Sequence, residues 1–326
     1  MPFREFLRLF AHFQWMPALE NGDEETLVGG QAVMEGVMMR APHSYCVAVR
    51  KASGEIVTDE KPLPKVSEKH PIFRFPVIRG LGTLGQALGL GIKALQFSAN
   101  AALQDADPQA AKKEMSAWVL ALNLGLSLAF FIFLYKFVPL YLATALGKAL
   151  PALTGRIPFN LADGIIRMAI FLGFLYTISL WKEMRRVFEY HGAEHRVVFN
   201  FESGRPVTVE TAQTFSTFHP RCGTSFLLVV MLVSIGVYTL LPFDRFLLKL
   251  AGRILLLPLI AGLSYELIRY AAKHRGGLLA ALTAPGLWLQ RITTKPPSAD
   301  QTAVAIEALQ HAMAIEEAQG GKPVIA

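Results

Sequence analysis

Charge and cysteine are both scarce in this chain. Only 17% of its 326 residues are Asp, Glu, Lys or Arg, while 52% are hydrophobic, a balance that excludes an ordinary soluble domain and fits a membrane protein. The formal net charge is +7, yet no long basic block occurs. The excess therefore reads as positive flanks on membrane helices, and no nucleic-acid partner is expected. The two cysteines, Cys46 and Cys222, stand far apart, which excludes a secreted disulfide framework and points to a reducing, cytosol-facing environment. Walker and dinucleotide-binding motifs are absent, so nucleotide-driven mechanisms have no support. A secretory signal is also missing: arginines break every apolar run before Pro17, and no small-residue cleavage site follows.

What is present divides the chain into seven stretches. Residues 1–25 read as an amphipathic N-terminal helix, with Phe3, Phe6, Leu7, Phe10 and Phe13 on one face, followed by an acidic linker. Residues 26–70 form a cytosolic segment in which Tyr45 to Arg50 and Glu55 to Thr58 flank the turn Ala52-Ser53-Gly54, the pattern of a β-hairpin. Cys46 lies in its first strand as a small packed side chain. Residues 71–103 hold a glycine-rich, membrane-associated helix whose seam is Leu81, Leu84, Leu88, Ile92 and Leu95, with Gly85 and Gly89 as a small-residue pair. Lys93 and Gln86 interrupt it, so an in-plane or re-entrant placement is expected, with a crossing as the alternative.

Transmembrane helices are expected at Trp118 to Tyr141 and Leu161 to Trp181 (within 117–181), and at Ser225 to Leu241 and Phe246 to Ile268 (within 225–268). Few charges are expected deep inside them, which argues against an ion-coupled transporter. Basic residues crowd residues 182–224 and follow the last span, so both termini and that polar segment are placed in the cytosol. Within it, Arg196 to Phe201 and Pro206 to Glu210 alternate like a second small hairpin around Glu202-Ser-Gly-Arg205. The cytosolic C-terminal segment, 269–326, ends in a helix from about Gln301 to Ala318, with Asp300 as its N-cap and Val304, Ala308 and Met313 as its packing face. The fold class is thus a mainly α-helical polytopic membrane protein, with about four transmembrane helices plus the glycine-rich helix and a small cytosolic α+β cap built from short hairpins.

The chemistry concentrates in the string His191-Gly-Ala-Glu-His195. On a helix its two imidazoles and one carboxylate share a face, and the order H-x-x-E-H matches an inverted zinc-hydrolase motif. Cys222, His219 and Glu266 are the candidate further ligands, with Glu35 as a site neighbour. Glu266 has the alternative role of partner to Arg269 or another cation, and Glu35 that of partner to Arg40 or another cation. If hydrolysis operates, His191 and His195 hold the ion and Glu194 is the catalytic base; if Cys222 and a carboxylate complete the coordination, the site is closed and structural. A packed, hydrogen-bonded His/Glu network with no metal is the plain alternative.

The segments Gly29-Gly-Gln-Ala-Val-Met-Glu-Gly-Val-Met-Met-Arg40, His191 to His195, His219-Pro-Arg-Cys-Gly-Thr-Ser225, and Ser264-Tyr-Glu266 with Gly286-Leu-Trp-Leu-Gln-Arg-Ile-Thr-Thr294 occur here in that order. Together they resemble the YqhQ-like family of bacterial membrane proteins, from about Val28 to Leu309. The resemblance implies a bacterial inner-membrane, multi-pass protein of unknown function, described at most as a metal-dependent enzyme. The leading expectation is an integral membrane protein with a cytosol-facing divalent metal, zinc by its donors, supporting metal-dependent hydrolysis. A transporter or channel using the glycine-rich helix, and a non-enzymatic assembly factor whose cap binds a protein partner, stay open.

Overall fold

The computed structural model describes residues 28–64, 66–106, 117–219, 222–273 and 278–319; the expected N-terminal helix lies outside them. Four antiparallel strands, β1 (Gly29–Val33), β2 (Gly36–Arg40), β3 (Ser44–Arg50) and β4 (Ile56–Pro62), form a meander in the order β1-β2-β3-β4. The β3/β4 pair is the hairpin expected around the turn Ala52-Ser53-Gly54, with Val49 opposite Val57. The β1/β2 pair was not anticipated. Its strands lack alternation of polar and apolar residues because helices cover both faces of the sheet.

One face packs on α5 (Lys182–Glu202) and α11 (Ala299–Ala318) through Val37, Met39, Cys46 and Ala48 against Tyr190, Ala193, Val197, Val304, Ala308 and Leu309. The other carries Val33, Met38, Tyr45, Val47 and Val49 against Leu90, Ala94 and Ala101 of α1 (Ile78–Ala106). Burial pushes the Cys46 thiol up to about 12, as suits an inert packed side chain.

Three local expectations are corrected. Residues 196–201 are not a strand: α5 runs unbroken to Glu202, because Tyr190, Ala193, Val197 and Val198 recur at helical spacing toward one core. The glycine that suggested a turn, Gly204, instead follows the helix end at φ 68, a left-handed C-terminal stop; the residues after it enter the one-and-a-half-turn helix α6 (Val209–Gln213). The cap of α11 is Ser298, not Asp300; its hydroxyl accepts from the Gln301 N–H while the Gln301 side chain accepts from the Ser298 N–H. On α1 the buried stripe is Leu90, Ala94 and Ala101, whereas Leu88 and Leu95 of the expected seam are exposed and Gly85 and Gly89 face open space.

The remaining helices form a bundle: α2 (Ala117–Ile132), a π turn (Phe133–Phe137), α3 (Val138–Ala149), α4 (Arg156–Ser179), α7 (Gly223–Thr239), α8 (Phe246–Leu255), α9 (Leu257–Lys273) and α10 (Leu278–Thr293). Among the described residues, two stretches are long and apolar enough to cross a membrane, Ala121–Ala149 and Arg156–Ser179. A third exists if Phe246–Leu255 and Leu257–Tyr270, bent by 50°, act as one span; α7, at 17 residues, is shorter. Leu122, Leu126, Phe130, Ile157 and Ile165 point outward and exposed, the surface a lipid-facing bundle presents. The expectation of few deep charges fails: Lys136, Asp163, Arg167 and Arg253 are all buried among these helices.

Candidate metal centre

The site forms where the cap meets the bundle. Helix α5 starts directly after α4 and lies on the sheet, so its buried face carries Glu194 and His195, with the side chain of His191 at 16% exposure. Cys222 arrives from the other direction as the N-cap of α7. Two glycines permit this crowding. A β-carbon on Gly30 would lie 2.6 Å from Cγ of Glu194, so only glycine lets β1 approach the carboxylate. A β-carbon on Gly192 would overlap the carbonyl oxygen of Lys295, where the link from α10 to α11 crosses α5.

That link orients the first imidazole. The His191 Nδ1–H donates to the Thr293 carbonyl at 2.8 Å, and the Lys295 N–H donates to the Phe188 carbonyl at 2.8 Å. The His195 Nδ1–H donates to the Thr217 carbonyl at 2.5 Å. A carbonyl can only accept, so each ring carries its proton on Nδ1 and turns Nε2 inward. Cys222 Sγ lies 3.3 Å from His191 Nε2, and the ligand atoms of His191, His195 and Cys222 all fall within 4.8 Å of one another. Two imidazoles fixed through Nδ1 and a thiol form a group that could hold a metal ion.

Glu194 lies beside this trio, its Oε2 3.4 Å from His195 Nε2 and 4.0 Å from His191 Nε2. Desolvation raises its pKa, opposed by His191, His219 and a hydrogen bond from the Gly30 backbone. Desolvation lowers the pKa of His195, opposed by its hydrogen bond to Cys222. His219 is close but separate: its ring lies tilted 5.6 Å from that of His195 and 4.4 Å from that of Phe199, its Nε2 lies 3.4 Å from Glu202 Oε2, and burial pushes it down to about 4.

The other two candidates lie elsewhere. Glu266 on α9 accepts from the Arg79 guanidinium and from the Val77 N–H at 3.1 Å, tying α9 to α1. Glu35, in the β1/β2 turn at φ 52, forms a two-point ion pair with Arg186 at 2.5 Å. Sequence reading missed Gln290, which is fully buried and exchanges two hydrogen bonds with the His219 backbone at 2.7 and 2.8 Å. It also missed the carbonyls of Thr217 and Thr293, since backbone acceptors carry no residue signature.

Comparison with known proteins agrees with the YqhQ-like resemblance. The chain is 34% identical over 297 residues to "Uncharacterized protein YqhQ" of Bacillus subtilis, covering 88% of this chain and 92% of that protein. No solved structure matches it. The sequence pattern of DUF1385, a protein family of unknown function, matches residues 75–315, a stretch holding α5, Cys222 and the Gln290 link together, and the chain belongs to that family.

Proposed function

We propose that this is a multi-pass bacterial inner-membrane protein whose His191, His195 and Cys222 hold a divalent metal ion, zinc by donor chemistry, on the cytosolic side, and that the site supports hydrolysis. The observation that carries the reading is the pair of Nδ1–H bonds to the Thr293 and Thr217 carbonyls. They commit both rings to present Nε2 toward Cys222 Sγ, an orientation that an unliganded packing cluster has no need to impose. Two nitrogens and a sulfur suit zinc better than the oxygen-preferring magnesium or calcium.

Three protein donors are the count found in catalytic zinc sites, where the fourth position stays available. The ion would supply Lewis acidity. Glu194, desolvated and held by the Gly30 N–H, has a carboxylate whose raised pKa suits accepting and returning a proton. Its Oε2 is the acceptor for the proton of an attacking water. The surrounding burial excludes bulk solvent from that transfer. The crowding of basic residues in 182–224 and after the last span supports the cytosolic orientation.

The test is metal analysis of chelator-free protein alongside His191→Ala, Cys222→Ala and Glu194→Gln. One equivalent in the native chain, lost in the first two variants and kept in Glu194→Gln, is expected. No stoichiometric metal in the native chain sinks the metal reading. Loss in Glu194→Gln as well would make Glu194 a ligand and the site a closed structural one.

A further inference from the structure

The bundle buries four ionisable side chains around one tyrosine ring. Asp163 is 0% exposed, Arg253 2%, Arg167 3% and Lys136 9%. Asp163 spends both oxygens on the arginines: Oδ1 accepts from Arg253 and Oδ2 from Arg167, each at 2.5 Å. Arg253 also donates to Asn160 Oδ1 at 2.9 Å, and Arg167 donates to the Ser234 hydroxyl. Among the described residues Lys136 donates to the Tyr238 hydroxyl, at 2.9 Å, and that hydroxyl donates onward to the Arg253 carbonyl at 3.3 Å. Three cations thus ring Tyr238, with Arg253, Arg167 and Lys136 at 4.8, 5.2 and 5.4 Å from its centroid.

One carboxylate against three basic side chains leaves an excess of basic groups at this place among the described residues. Cation–π contact with Tyr238 offsets only part of the cost of taking these groups out of water. Protein groups alone do not close that gap. The backbone is also irregular at this place. Lys136 lies in the π turn Phe133–Phe137, and Arg253 lies just before the 50° break between α8 and α9. A π turn and a broken helix both expose backbone groups within a bundle, as ligand sites between membrane helices do.

We propose that Lys136, Arg167 and Arg253 form a binding site for a phosphate-type oxyanion carrying one or two negative charges, either a phospholipid headgroup or free phosphate. The site shares no residue with the His/Cys group and does not depend on it. Lys136, which pairs with no carboxylate among the described residues, is the principal contact, and the two arginines are held in place by Asp163.

The experiment uses the full chain, exhaustively delipidated in a non-phospholipid detergent, and follows its thermal midpoint with added phosphatidylglycerol, inorganic phosphate, or chloride at equal ionic strength. Wild type is expected to gain stability with one of the first two over chloride; phosphatidylglycerol alone identifies a lipid headgroup, and inorganic phosphate a soluble ligand. Lys136→Met is expected to melt at or above wild type without added anion, since an isolated buried cation has gone, and to lose the anion response by roughly tenfold in apparent affinity. The proposal is overturned if neither phosphate source acts on wild type, if Lys136→Met responds equally, or if that variant melts lower in the absence of anion.

Discussion

Adding one methyl group at Gly192 tests how the candidate metal centre is held. The β-carbon of Gly192→Ala would overlap the Lys295 carbonyl oxygen, well inside the 3.0 Å that real β-carbons essentially never cross, and the obstacle is backbone rather than a flexible side chain. The link must retreat by roughly an ångström to reach ordinary contact. Both hydrogen bonds it makes to α5, Thr293 to His191 and Lys295 to Phe188, start at 2.8 Å and would pass out of range. Overpacking costs about 1–3 kcal/mol and each of the two lost bonds about 1 kcal/mol, so a destabilisation of about 3–5 kcal/mol is expected. With its Nδ1 partner displaced, His191 is free to rotate, and metal affinity should fall about 10- to 100-fold. Thermal unfolding in detergent with and without chelator, plus a competitive zinc titration, reads both quantities. Gly89→Ala on α1 is the control, because nothing lies within 4 Å of its β-carbon, and about 0.5–1 kcal/mol of stabilisation is expected from helix propensity. Native-like melting and zinc affinity in Gly192→Ala would refute the argument.

Three other outcomes follow from named contacts. His219 is held down at about 4 from 6.5 by burial; the folded state therefore binds fewer protons, and stability complete above pH 6.5 is lost as pH falls toward 4. The loss is roughly 3 kcal/mol, seen as a falling melting temperature in metal-free protein and flattened by His219→Phe; a flat wild-type profile contradicts it. Ser298→Ala removes the hydroxyl end of the α11 capping box and should cost about 1 kcal/mol, measured by the same unfolding assay. Glu266→Gln weakens the α1–α9 ion pair with Arg79 but should leave metal content unchanged, as metal analysis would show.

Side-chain patterns that meet one environment were legible. The apolar stripe of α11 faces a single, continuous core, so periodicity announced it, and the β3/β4 hairpin was marked by the turn residues Ala52-Ser53-Gly54 between its strands. The His191, Glu194 and His195 spacing was legible for the same reason, since a helix alone brings them together. Strands β1 and β2 were hidden because both faces are covered, which erases alternation. Helix α5 beyond His195 was misread because a six-residue window of alternating residues outweighed a longer helical period. Gln290 and the two carbonyls that aim the rings belong to distant segments, and only the fold brings them to α5. The buried charges were missed because what unites Lys136, Asp163, Arg167 and Arg253 is mutual proximity in space, which no linear pattern encodes.

The origin of the three donors has a mechanical consequence. His191 and His195 belong to a helix of the sheet-bearing cap, whereas Cys222 begins a helix of the bundle. An ion shared by all three would rivet two bodies together, so its loss would change the angle or grip of the cap on the bundle before it changed either body. Metal availability would then be felt as a movement, transmitted along α7 to Ser234 and Tyr238, the residues that line the buried cationic cluster.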